Sequence, residues 1–154
     1  MANQRIILTV GVSASGKDYF YKQYCIENPT TIRITKDDIR KEIRSEKGLD
    51  EFARVNEKEV LRREETKILE ALNKGFNVAL TNTHLNPMHI NERIPNLLRS
   101  NGLTGKVDIV VDKQFLSIPI NVCIERDSKR TGVDRVGEAV IRNQWKQAEA
   151  WKES

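Results

Sequence analysis

Gly11-Val12-Ser13-Ala14-Ser15-Gly16-Lys17-Asp18 follows the apolar run Ile6-Ile7-Leu8-Thr9-Val10 and leads into Tyr19-Phe20-Tyr21-Lys22-Gln23-Tyr24. A strand-like run, a glycine loop and a helix-compatible run, in that order, mark a phosphate-binding loop. Gly11 and Gly16 let the backbone curl until its N–H groups face a phosphate, and the following helix adds its N-terminal dipole. Ser13, Ala14 and Ser15 complete the expected cradle, and Lys17 reaches the outer phosphates as a point charge. One position departs from the pattern. A hydroxyl residue that ligates magnesium is expected after the lysine, and here it is Asp18.

The rest of the chain suits a globular setting for that loop. Its 154 residues are enough for one domain with a sizeable core, and 38% hydrophobic and 31% charged residues fit a globular composition. No stretch has the apolar length of a membrane span, and Met1-Ala2-Asn3-Gln4 runs straight into the first strand. The expected setting is therefore the cytoplasm, away from any membrane. Cys25 and Cys123 match no metal-ligand spacing and read as reduced thiols. The net charge of +4 permits a polyanionic partner without demanding one.

Thr31–Ile34, Asn77–Thr81 and Val107–Val111 read as further short buried strands. Between them, residues 50–74 carry helical spacing at Phe52, Val55, Val60, Ile68, Leu69 and Leu72, with Gly75 as a stop. Pro87–Arg99, Pro119–Arg130 and Glu138–Trp151 read as helices. Alternating strands and helices predict an α/β, three-layer fold whose mostly parallel sheet is covered on both faces. In such sheets ligands bind beyond the C-terminal strand ends. Those ends carry the loop at 11–18, Thr35-Lys36-Asp37-Asp38, and Asn82-Thr83-His84.

Asp37 and Arg40 lie one helical turn apart in Ile34-Thr35-Lys36-Asp37-Asp38-Ile39-Arg40. Beside a phosphate loop this pair supplies what a kinase needs: a base for a hydroxyl proton and a cation for the moving phosphoryl group. Without the loop it reads as a helix cap on Thr35 or Asp37. Glu125 to Gly137 holds a second basic cluster, with Arg126, Lys129, Arg130 and Arg135. Helical periodicity ends near Arg130, so residues 130–137 read as an arginine-bearing lid that excludes water from the reaction.

In order and spacing, RIILTVGVSASGKD, ITKDDIRKEI, TNTHLNP and ERDSKRTG resemble the kinase domain of the bacteriophage polynucleotide 5′-kinase family. The resemblance covers most of the chain. It implies a P-loop fold and ATP with Mg2+ as cofactors, acting on a nucleic acid, DNA or RNA, that ends in a 5′-hydroxyl. It implies that Lys17 and the loop bind the ATP phosphates, with Asp37 as general base and Arg40 holding acceptor and phosphoryl oxygens. Arg130 becomes the lid arginine that meets the transferring charge, supported by Arg126. The setting becomes host cytoplasm if the chain is phage-encoded. The phosphatase domain of the best-known members is not expected within 154 residues, and no 3′-phosphatase activity is implied.

Asp18 replaces that family's hydroxyl residue, and Asn82 stands where its members place an aspartate. The expectation is that Asp18 ligates magnesium; if Asn82 and Asp18 approach one site, its number of carboxylates is unchanged and only their placement differs. His84 reads as a local hydrogen-bonding residue rather than a catalyst. The basic run Arg40, Lys41, Arg44 and Lys47 suits a phosphodiester strand. Two alternatives stay open: a P-loop kinase of a small metabolite or of a hydroxylated base in DNA, and a P-loop module that binds nucleotide without catalysis.

Overall fold

The computed structural model describes residues 3–152. The expectation that Met1 and Ala2 run straight into the first strand lies outside the described residues. Four parallel strands, β1 (Gln4–Thr9), β2 (Thr31–Ile34), β3 (Asn77–Leu80) and β4 (Val107–Asp112), form a sheet of order β2-β3-β1-β4. Leu80 of β3 is in register with Leu8 of β1 and Ile34 of β2, and Val111 of β4 also faces Leu8. Parallel pairing needs crossover segments, supplied by helices α1 (Lys17–Glu27), α2 (Lys36–Glu46), α3 (Glu57–Asn73) and α4 (Ile94–Ser100). Two more helices follow β4: α5 (Ile120–Ser128) and α6 (Glu138–Lys152).

Alternate strand residues serve opposite faces. Ile6, Leu8, Val78 and Leu80 join the main core with Ile68 and Leu72 of α3 and Ile94 and Leu98 of α4. Ile7 and Ala79 pack on the other face against Tyr21 of α1 and Phe115. Both faces are covered, which is the α/β P-loop architecture expected. Among the described residues no helix is long and apolar enough to cross a membrane.

Two helices differ from the sequence reading. Helix α3 starts at Glu57, seven residues later than expected, because polar side chains capture the backbone ahead of it. Asp50 accepts the Phe52 N–H at 2.8 Å, and Asn56 caps α3 by accepting the Lys58 N–H at 2.9 Å. Phe52, counted with the helical stripe, is exposed instead. The expected helix from Pro87 begins with a wide π turn at His89–Arg93, where the Ile94 N–H reaches the His89 carbonyl. Pro95 has no N–H to give to an ordinary α turn, and the wide turn accommodates it at the start of α4.

Candidate functional site

The turn from β1 into α1 is built by two left-handed residues, Gly16 at φ 98° and Ala14 at φ 63°. Glycine adopts this region freely, whereas at alanine it costs roughly 1–3 kcal/mol, a strain found mostly at ligand-binding loops. Gly11 serves packing rather than the curl. A Cβ there would lie 2.9 Å from Phe115 Cβ and 3.0 Å from Ser15 Oγ. Ser13, Ala14, Gly16, Lys17 and Asp18 line an open cleft, while Gly11 and Ser15 lie behind it.

Lys17 is only 6% exposed. Its ammonium donates to the Val12 carbonyl at 2.6 Å and to Ser15 Oγ at 3.2 Å. Burial lowers its pKa to about 8, and Arg130 pushes in the same direction, while Asp37 and Asp18 act against it. Lys17 shares its cleft with Asp37 and Arg130, members of both other expected clusters.

Asp18 is held by cations. Its Oδ1 pairs with Arg33 and accepts from the Thr81 hydroxyl at 3.4 Å, and its Oδ2 lies 3.2 Å from Lys22. The Lys22 pair is solvent-exposed and worth at most about 1 kcal/mol, so a cation could displace it. Oδ1 is committed, and Oδ2 is the oxygen left to an exposed, displaceable partner. Asn82 does not bond to Asp18. Its side chain reaches Thr35, Lys36, Glu64 and His84 instead. His84 is a local hydrogen-bonding residue, buried with Nδ1 2.8 Å from the Thr9 carbonyl.

Thr35 is the N-cap of α2, accepting the Asp37 N–H at 3.4 Å. Asp37 itself is open, its side chain 80% exposed toward the cleft, with Oδ1 accepting from Arg40 Nη1 at 2.9 Å. Glu57, at the start of α3, clamps the other side of Arg40 through Nε at 3.2 Å and Nη2 at 2.6 Å. That contact holds the Glu57 carboxyl below its usual range. Arg40 has five N–H groups, and three are used, leaving one on each Nη for a ligand. The neighbouring basic run is not a free strip. Lys41 pairs with Asp134 at 2.8 Å, Arg44 donates to the Ala53 carbonyl at 2.8 Å, and Lys47 pairs with Glu59 at 3.1 Å.

Past α5 the chain returns through a 3₁₀ turn, Gly132–Asp134, anchored by the buried Asp127. The Asp127 carboxylate accepts the Val136 and Gly137 N–H groups, each at 2.9 Å. Arg126 donates to the phosphate loop at the Ala14 carbonyl, 3.4 Å away. Among the described residues Arg130 has a single distant ion pair, 4.0 Å to Asp127, and its side chain is 39% exposed. Gln144 of α6 was not visible from sequence. Its Oε1 accepts the Ser13 N–H at 2.8 Å, and only its place on the turn after the buried Ile141 hints at it.

All these segments line one cleft of about 1220 Å³. Among the described residues, nine lysines and arginines line it against four carboxylates, an excess of five in a chain whose net charge is +4. The positive charge of the protein is therefore concentrated here, where it attracts phosphate groups.

Comparison with known proteins agrees with this architecture. The family model described as AAA domain matches residues 6–154. A chain in the structure of the Pnkp1/Rnl/Hen1 RNA repair complex superposes with a TM-score of 0.70 at 19% identity, over 99% of this chain and 46% of that one. A chain in a further Pnkp1/Rnl/Hen1 complex gives 0.61 at 16% identity, over 86% and 41%. At these identities the likeness is one of fold, and the chain spans less than half the length of those it matches. No curated protein sequence matches it.

Proposed function

From the premise that this chain belongs to the AAA domain family, we propose that it is an ATP-dependent kinase of 5′-hydroxyl nucleic acid ends. The observation that carries this reading is the single basic cleft, with the phosphate loop on one wall and the open Asp37–Arg40 pair on another. A nucleotide-binding module needs the first wall only. The likeness to chains of an RNA repair complex supports the choice of a nucleic acid as acceptor.

In this reading the loop N–H groups and Lys17 hold the β- and γ-phosphates. The acceptor 5′-oxygen bonds to the γ-phosphorus as the bond to the β–γ bridging oxygen breaks. ADP leaves, and the hydroxyl proton passes to Asp37. The two spare N–H groups of Arg40 orient the acceptor and the moving phosphoryl oxygens. Arg130 meets the charge on those oxygens, with residues 130–137 closing over the site as part of one kinase domain covering residues 1–154. Magnesium bound with the nucleotide would neutralise phosphate charge.

In this reading Asp18 would hold that ion through Oδ2. Without metal, a carboxylate beside the phosphates repels them. Removing magnesium is therefore expected to weaken ATP binding to the wild type more than to Asp18→Ser, as measured by titration of nucleotide affinity. Equal weakening of both proteins removes Asp18 from the metal.

The choice of acceptor is tested by salt. Binding of a single-stranded 5′-hydroxyl oligonucleotide should weaken with a log–log slope of about −0.7 per phosphate neutralised. The strand has to compete with Glu57, Asp134 and the Ala53 carbonyl for Arg40, Lys41 and Arg44. A flat salt response, or equal turnover of a free nucleoside, points to a small acceptor instead.

A further inference from the structure

We infer that Asn82 and the buried Glu64 form a relay that positions the Asp37–Arg40 turn, and that the relay requires an amide at position 82. The inference rests on the role proposed for Asp37. Helix α3 carries Val60, Ile68 and Leu72 on its buried stripe, and Glu64 occupies the same stripe with no exposure at all. A buried carboxylate is costly unless it is paired and fully hydrogen-bonded, so its partners define its purpose.

Among the described residues Glu64 has two hydrogen-bond partners, and its charge also acts on the Lys36 ammonium. Its Oε1 accepts from Arg93 Nη1 at 2.7 Å, and its Oε2 accepts from Asn82 Nδ2 at 2.9 Å. Arg93 closes the π turn ahead of Pro95, where it also lies 3.5 Å from Glu65. The ion pair is thus supplied from α3 and the π turn, and the other oxygen of Glu64 points to the end of β3.

Asn82 passes this constraint to α2. Its Oδ1 accepts the Lys36 N–H at 2.9 Å and lies 3.4 Å from the Thr35 hydroxyl. The Lys36 N–H belongs to the first turn of α2, where backbone donors have no helical partner. Asp37 is the next residue, and its own N–H is taken by Thr35. Asn82 and Thr35 together fix the two peptide units that carry the proposed base.

The second proton of Asn82 Nδ2 faces His84 Nε2 at 3.4 Å. The Thr9 carbonyl, 2.8 Å from His84 Nδ1, can only accept, so the imidazole proton sits on Nδ1 and Nε2 offers a lone pair. Burial keeps this ring neutral, with a pKa of about 4. Both donors and both acceptor positions of Asn82 are therefore in use, and its orientation is forced. An aspartate would set a second carboxylate against Glu64 and against the His84 lone pair, with no proton between them.

The test moves the carboxylate from one partner to the other. Asn82→Asp should lower kcat on a 5′-hydroxyl oligonucleotide by about 100-fold or more, since a displacement near 1 Å is worth about that factor. ATP affinity should change little, because the phosphate loop lies outside the relay. Glu64→Gln in the Asn82→Asp background restores one carboxylate and one amide. The introduced glutamine then accepts from Arg93 and donates to the introduced aspartate, whose oxygens still accept from Lys36 and Thr35. Turnover should recover at least about tenfold over Asn82→Asp, though not completely, because His84 Nε2 still faces a carboxylate. A double variant no more active than Asn82→Asp, or an Asn82→Asp protein with near-normal turnover, overturns the relay. Melting temperatures give an independent reading, with the double variant expected to melt above Asn82→Asp; no recovery there also overturns it. A wild type that phosphorylates no oligonucleotide sinks the proposed function instead, and the melting comparison still decides the relay.

Discussion

Asp37→Asn is expected to lower turnover of 5′-hydroxyl oligonucleotides by about 10²–10⁴-fold, the usual contribution of a general base. ATP affinity should stay within a few fold. The substitution is chemically narrow. Asparagine keeps an oxygen for Arg40 Nη1, now 2.9 Å from Asp37 Oδ1, and Thr35 still caps the N–H at position 37. Helix α2 and the Arg40–Glu57 clamp should therefore survive, and only the ability to take a proton is lost. Single-turnover rates and nucleotide titrations on the purified variant check this. Near-normal turnover would reduce Asp37 to an acidic residue that stabilises the first turn of a helix.

Arg130→Ala is expected to reduce kcat far more than it raises KM for the oligonucleotide. A cation that meets phosphoryl charge only in the transition state contributes on the order of 10³–10⁵ in rate. The surroundings make the test clean. The ion pair from Arg130 to Asp127 is 4.0 Å long, and the Asp127 carboxylate keeps its two backbone bonds to Val136 and Gly137 without it. Loss of rate would then not come from collapse of the segment that carries it. Steady-state kinetics at saturating ATP separates the two parameters. A variant changed only in KM for the oligonucleotide would assign Arg130 to strand binding.

The phosphate loop was readable because its chemistry is local. A strand, two glycines and a lysine lie close together along the chain, and β1, the loop and α1 follow that order in space. The strands at 31, 77 and 107 were equally plain, since short apolar runs between helices have few other uses. What failed depended on side chains that answer to the backbone or to distant residues. Asp50 and Asn56 delayed α3 by capturing nearby N–H groups, and Pro95 widened the turn before α4. The Glu57 clamp on Arg40 joins two helices, and Gln144 meets Ser13 across 131 positions. No spacing rule reaches that far. Glu64 had a signal that went unused: a carboxylate on the buried stripe of a helix. At position 82 the asparagine stands where an aspartate was expected, and in space a carboxylate lies beside it, on Glu64.

The proposed reaction is transfer of a phosphoryl group, within the cleft, to a nucleic acid end. The direct measurement incubates the protein with magnesium and γ-labelled ATP, offering 5′-hydroxyl oligonucleotides, matched 5′-phosphorylated ones, nucleosides and small sugars in parallel. Label is expected on the 5′-hydroxyl oligonucleotides, with none on the 5′-phosphorylated strands and far less on the nucleosides and sugars. Label on a small acceptor with none on any oligonucleotide would contradict the account.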